Sequence, residues 1–288
     1  MKRFYLSIIV MSIFFIGAHA QIKERYMNVN KTDGSTIRLK VKNVEDVTFE
    51  EINKPEDKTR HTFIANGVSF TMIKVSGGTF QMGKKGKSDD SDDVTPVHTV
   101  TLTDDYYIGE TEVTQELWQA VMGDNPSTYK GIKLPVYNTS WDACQVFIQR
   151  LNEITNYNFR LPTEAEWEFA AKGGTWSNDY TYSGSNSIDD IAWYYANSGE
   201  EAHEVATKRP NELGIYDMSG NVWEWCQDWF GTYCNGGELT NPTGPTSGTA
   251  RVYRGGSVSR FKTDCRPIVR FGWSPSGFNS FMGLRLAL

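Results

Sequence analysis

Only four cysteines and four histidines occur in this chain of 288 residues, and that scarcity excludes several kinds of chemistry. His19 falls in the first twenty residues, and His61, His98 and His203 share no metal-ligand spacing, so a histidine-built iron or zinc centre is not expected. The net charge is −6, with acids and bases interspersed and no basic stripe, which argues against nucleic acid as a partner. Beyond the first twenty residues no segment is apolar enough to span a bilayer.

Those first twenty residues, MKRFYLSIIVMSIFFIGAHA, stand apart from the rest. Lys2 and Arg3 precede an apolar run from Phe4 to Ile16, and Ala18-His19-Ala20 supplies a small-residue cleavage pattern. The layout is that of a secretory signal peptide cut before Gln21, and the uncharged run is short for a membrane anchor. No cysteine stands at the cut, so no lipid anchor is expected there. The mature protein is therefore expected to be exported, to the periplasm, the cell surface or the medium. Export would place Cys144, Cys226, Cys234 and Cys265 in an oxidising compartment, where one or two structural disulfides are expected. Four cysteines allow three complete pairings, and the sequence does not choose among them.

Hydrophobic residues make up 39% and charged residues 22%, the balance of a folded chain. Nine tryptophans, fourteen tyrosines and fifteen phenylalanines supply large apolar surfaces for a core. Residues 21–62 read as a small β module and linker: Asp33-Gly34 is a hairpin signal, Ile37, Leu39 and Val41 alternate with charged residues, and INKPEDKTRH is polar. From residue 63 onward short strands mix with a few helices and long glycine-rich connections. The loop KKGKSDDSDDVTP carries four aspartates that could hold calcium, although a solvated loop is the simpler expectation.

Three helices are expected. Thr114 can cap QELWQAVM, which Gly123 ends; Ser140 precedes a helix whose Cys144, Phe147, Ile148, Leu151 and Ile154 share an apolar face. Thr163 and Glu166 have capping-box spacing at the start of the third, and Gly173 stops it. The hundred or so residues after Gly173 show little periodicity and need packed aromatics, disulfides or an ion to hold them.

The segments VSGGTFQMG, YYIGETEVTQELW, FRLPTEAEWEFAAKGG, NELGIYDMSGNVWEWCQDW and RVYRGGSV occur in that order, and the chain from about residue 64 resembles the formylglycine-generating enzymes, or sulfatase-modifying factors. The resemblance implies an α+β fold related to the C-type lectins with much irregular chain. It also implies, for active members, copper-dependent oxidation of a sulfatase cysteine to formylglycine by molecular oxygen. That chemistry uses two cysteines five positions apart, whose thiolates hold Cu(I), a soft ion suited to sulfur. Here Cys265 falls on the second position and Arg260 stands on the first. Guanidinium is permanently protonated and has no lone pair to donate. Ser257 matches a serine beside the oxygen pocket of active members. The resemblance also suggests a Cys226–Cys265 disulfide in members that lack the first cysteine.

By the same resemblance, Asp217, Gly220, Val222 and Glu224 fall on a calcium site made of two carboxylates and two backbone carbonyls. A second site would begin at Asn197 and Ser198, but the stretch completing it is shortened here, and Glu200, Glu201, His203 and Glu204 read better as a solvated loop. The expectation is an exported, catalytically silent relative that binds an unidentified protein or glycan or builds an assembly, with one calcium and no copper. Phe271, Trp273 and Phe278 are candidates for its binding surface. The alternative is a copper oxidase that recruits its second thiolate from elsewhere.

Overall fold

The computed structural model describes residues 59–83, 96–233 and 237–288, together with three strands nearer the N-terminus. The signal-like segment, the Asp33-Gly34 turn, the four aspartates of the charged loop and Cys234 lie outside the described residues. The chain divides into two units, Met1–Asp57 and Lys58–Leu288. In the first, β1 (Arg25–Asn30), β2 (Thr36–Val41) and β3 (Val47–Glu50) form an antiparallel sheet in that order, with Leu39 in register with both Met27 and Phe49.

The second unit begins with β4 (Arg60–Ala65), so Arg60, His61 and Thr62, expected in the linker, are the first half of a strand. Asn66 and Gly67 both take positive φ, 47° and 85°, and turn the chain directly into β5 (Val68–Val75), as a tight two-residue hairpin requires. The strands β6 (Gly78–Met82), β7 (His98–Leu102) and β8 (Tyr106–Gly109) follow. β8 pairs with β5 to complete one three-stranded sheet, while β6 and β7 pair in a second.

The three longer helices start where their caps place them. In α1 (Gln115–Met122) Thr114 accepts from the Leu117 N–H, and Gly123 closes the end at φ 85°. Ser140 does the same for α2 (Trp141–Thr155) through the Ala143 N–H. In α3 (Glu164–Ala171) the Glu166 N–H donates to Thr163 Oγ1 and the Thr163 N–H donates to Glu166, a complete capping box. The Trp118 and Phe147 rings stack 4.9 Å apart, joining α1 to α2. Ile154, expected on the apolar face of α2, is exposed, because the last turn of that helix runs past the core.

A short helix, α4 (Ile188–Ile191), and a long irregular segment precede the remaining strands. Side chains bond to backbone where a ladder is missing: Asn211 donates to the Ala170 carbonyl and to Ser183, and its oxygen accepts from the N–H groups of Leu213 and Ile215. Then β9 (Trp223–Trp229), β10 (Glu238–Thr240), β11 (Arg251–Arg254), β12 (Arg270–Trp273) and β13 (Met282–Leu284) complete the fold. Four of them form a sheet in the order β12-β11-β9-β13, whereas β10 joins β7. Trp223, Glu224, Trp225 and Cys226 are all buried, so β9 is covered on both faces and shows no alternation in sequence. The C-terminus closes the unit: Arg160 and Ala287 exchange backbone hydrogen bonds, as do Tyr107 and Leu288. The fold is α+β. Among the described residues no helix is long and apolar enough to cross a membrane.

Candidate functional site

β11 ends at Arg254 and the chain turns through Gly255 and Gly256, at φ 98° and 81°. A Cβ on Gly256 would lie 2.5 Å from the Cys265 sulfur and 2.8 Å from its Cα. The bare glycine therefore lets the Gly-Gly-Ser turn lie directly on Cys265. Ser257 is buried, and its hydroxyl lies 3.2 Å from that of Ser259. The Arg260 N–H donates to the Ser257 carbonyl and the Cys265 N–H to that of Lys262, winding the loop back toward the sulfur.

Cys265 is buried in a small cluster with Tyr182, Ile188, Ile191 and Ala192. Burial, with the Asp264 carboxylate adding to it, pushes its thiol up to about 12, against the weaker effect of a backbone hydrogen bond from Ser257. At neutral pH this is a thiol and not a thiolate. Arg260, five positions earlier, is half-buried, and its guanidinium carbon lies 5.9 Å from the centre of the Trp223 ring. Cu(I) needs paired soft donors. This loop offers one protonated sulfur and a permanent cation, so its residues do not fit copper.

The expected Cys226–Cys265 disulfide is not formed. Cys144, Cys226 and Cys265 are all free, and Cys226 lies on β9 in a different core cluster, among Trp167, Ile215 and Val252. Each of the three is buried and packs as a small apolar group. Cys144 donates weakly to Thr139, and burial raises its thiol to about 12 as well.

The residues expected to hold calcium converge with one the sequence reading missed. Asp217 is buried, at φ 61°; its Oδ2 accepts from the Ala206 N–H and its Oδ1 has no partner. Glu224 is committed: Arg285 donates to both its oxygens at 2.6–3.1 Å, and the Trp167 indole N–H donates to Oε2 at 2.6 Å. Three N–H groups make these four contacts, the Arg285 Nε–H being shared between the two oxygens, so both oxygens are already bonded. Gly220 donates to the Gly255 carbonyl, and a Cβ there would meet the Trp193 carbonyl at 2.2 Å. The Val222 N–H donates to Glu112, whose other oxygen accepts from Asn221. Burial, with Asp217 and Glu224 beside it, pushes the Glu112 carboxyl well above its ordinary range, while Arg285 opposes this. Burial likewise raises Asp217 to about 6. Three buried carboxylates share one guanidinium, so the cluster carries a surplus of negative charge that either protons or a cation must neutralise. Among the described residues no three acidic, histidine or cysteine side chains gather around one ion position, so backbone carbonyls would have to complete any site.

Asn197 and Ser198 are committed to the loop itself. The Asn197 amide oxygen accepts from the Tyr194 N–H and Ser198 donates to the Val258 carbonyl. His203 stacks on Trp193 at 3.7 Å with Nε2 2.9 Å from the Ser198 carbonyl, while Glu200, Glu201 and Glu204 are exposed. Of the aromatic tail, Phe271 packs half-buried against the core, and Trp273 and Phe278 are exposed.

A family model described as the sulfatase-modifying factor enzyme 1-like domain matches residues 65–288. The chain belongs to this family. It is 38% identical over 213 residues to the chaperone protein LppX of Paenibacillus barcinonensis, a match covering 56% of this chain and 72% of the relative. It is 29% identical over 283 residues to the formylglycine-generating enzyme of Streptomyces coelicolor, covering 75% of this chain and 88% of the relative. Among solved structures, Treponema denticola variable protein 1 is similar at 36% identity and a TM-score of 0.73, over 81% of this chain and 99% of the other.

In this sulfatase-modifying factor chain the loop rests on a buried ionic framework that no local pattern announced. Arg254 and Arg270 both hold Glu164 at the start of α3, and Arg254 also reaches Glu168 at 3.0 Å. Burial alone would raise the Glu164 carboxyl, but Arg270 and Arg254 outweigh it and hold it below the usual range. Arg254 thus ties the strand entering the Gly-Gly-Ser turn to α3. The only hint in sequence was that RVYR places arginine at a strand end directly before two glycines.

Proposed function

We propose that this sulfatase-modifying factor relative lacks the copper-dependent cysteine oxidase activity and serves as an exported binding or assembly module. One observation carries the reading: the position paired with Cys265 is Arg260, and the Cys265 thiol is itself buried and protonated. The likeness to a protein called a chaperone supports a role in binding another macromolecule. The expected signal peptide supports export. The test is incubation with a sulfatase peptide bearing a Cys-x-Pro-x-Arg motif, copper and oxygen, read by mass. The peptide should stay unchanged where an active relative yields the aldehyde. Aldehyde formation, or tight stoichiometric Cu(I) binding by the reduced protein, would refute the reading.

We also propose a single structural calcium at the acid cluster, held through Asp217 Oδ1, Glu112 and neighbouring carbonyls, with Glu224 reserved for Arg285. The unpartnered buried Oδ1 and the uncompensated charge support it. Calcium would neutralise the cluster and tie down the irregular chain around Gly220. Millimolar calcium after chelation should raise the thermal midpoint of the wild type and not that of Asp217→Ala. No change in the wild type would exclude the site.

A further inference from the structure

We infer that Arg260 and the aromatic surface around it form a recognition site for a peptide-borne carboxylate. The inference rests on the reading of this chain as a silent binding relative and names the chemistry its loop would recognise.

Among the described residues the fully buried arginines have counter-charges, Arg254 and Arg270 on Glu164 and Arg285 on Glu224, as does Arg160 on Glu166. Half-buried Arg251 instead lies against Trp141 and Trp229 and donates to the Gln227 carbonyl. Arg260 has no counter-charge. It is half-buried, and among the described residues no carboxylate lies within ion-pair distance of it. Its guanidinium rests over Trp223, whose ring meets Tyr253 and Phe271 edge-on, at 85° and 83°. Asp264, the acid nearest in sequence, accepts from the Thr263 hydroxyl. Burial raises the Tyr253 phenol, Arg260 opposes that, and Asp264 adds to it, so the three groups share one electrostatic neighbourhood.

A guanidinium presents a planar fork of donors that matches a carboxylate, and a low-dielectric aromatic bed strengthens that bond relative to open water. The rim is apolar as well. The Tyr195 N–H donates to the Arg260 carbonyl, and the Tyr195 ring lies 5.2 Å from Phe261, edge to face. Tyr195 is 46% and Phe261 66% exposed, so two adjoining aromatic rings present apolar surface to solvent. Together these groups suit a carboxylate flanked by aromatic or aliphatic side chains, from an internal acidic residue or from a free chain terminus.

Calorimetric titration of the full chain with three peptides tests the site. The first is Gly-Trp-Glu-Phe-Gly blocked at both ends, the second its glutamine version blocked at both ends, and the third the glutamine version with a free C-terminal carboxylate. A carboxylate probe should bind about tenfold or more tighter than the doubly blocked glutamine probe. Which carboxylate probe gains identifies an internal or a terminal source. Arg260→Gln should abolish the preference with the thermal midpoint unchanged, and Arg260→Lys should keep part of it. Equal binding of all three, binding of none, or a preference that survives Arg260→Gln would overturn the inference. Those outcomes leave the silent-relative reading standing, whereas aldehyde formation in the oxidase assay removes that reading whatever the peptides do.

Discussion

Replacing Asp228 by asparagine should make the protein less sensitive to rising pH. Asp228 lies near the end of β9, buried, with Oδ2 accepting from the Glu164 N–H at 2.9 Å where α3 begins. Burial, with the Glu164 carboxylate close by, pushes its carboxyl up to about 7. In the unfolded chain the same group titrates near about 3.9. The folded state therefore binds this proton more tightly. The stabilisation is complete below the unfolded pKa, declines as pH rises, and is gone once pH has passed through about 7. Between pH 5 and pH 8 the wild type should lose on the order of 2–3 kcal/mol that Asp228→Asn does not lose. Asparagine keeps an oxygen for the Glu164 N–H, so the hydrogen bond survives while the titration disappears. Urea unfolding of both proteins at pH 5 and pH 8 gives the comparison, and groups such as Asp217 that titrate in the same window cancel in the difference. A difference between the two proteins that stays constant with pH, or changes in the opposite direction, would refute the reasoning.

Gly256→Ala should cost about 2–4 kcal/mol, since it adds left-handed backbone strain to overpacking against Cys265; Cys265→Ala should rescue little, because the clash with the Cys265 Cα remains, and chemical denaturation of the pair checks both statements. Thr163→Ala should cost about 1 kcal/mol by removing half of the capping box, and Thr163→Ser much less. Iodoacetamide at pH 8 should leave Cys144, Cys226 and Cys265 unmodified in the native protein and label all three in urea, as read by peptide mapping. Rapid native labelling of Cys265 would contradict its burial.

Elements governed by contacts near in sequence were readable in advance. Caps at Thr114, Ser140 and Thr163 act over three residues, so the three main helices follow from local chemistry. The hairpin at Asn66-Gly67 carried the same kind of signal and went unread. The fate of the sulfurs was not local. The resemblance suggested a Cys226–Cys265 disulfide, yet the two residues lie in separate core clusters. Glu112 is another such case. Nothing in its own segment distinguishes it from Glu110, which bonds to Arg60 nearer the surface, and only the packing against Asn221 and Val222 buries it.

By itself the sequence determined the family, the α+β class and the placing of Arg260 five positions before Cys265, because motif order and residue identity are properties of the chain alone. Only the tertiary structure decided which carboxylates are matched by arginine, which thiols stay apart and that Arg260 has no carboxylate partner among the described residues. Those outcomes depend on groups brought together across 60 to 110 positions, as Glu224 is with Arg285 and Glu112 with Val222. Electrostatic pairing acts through space, and only the fold sets that distance.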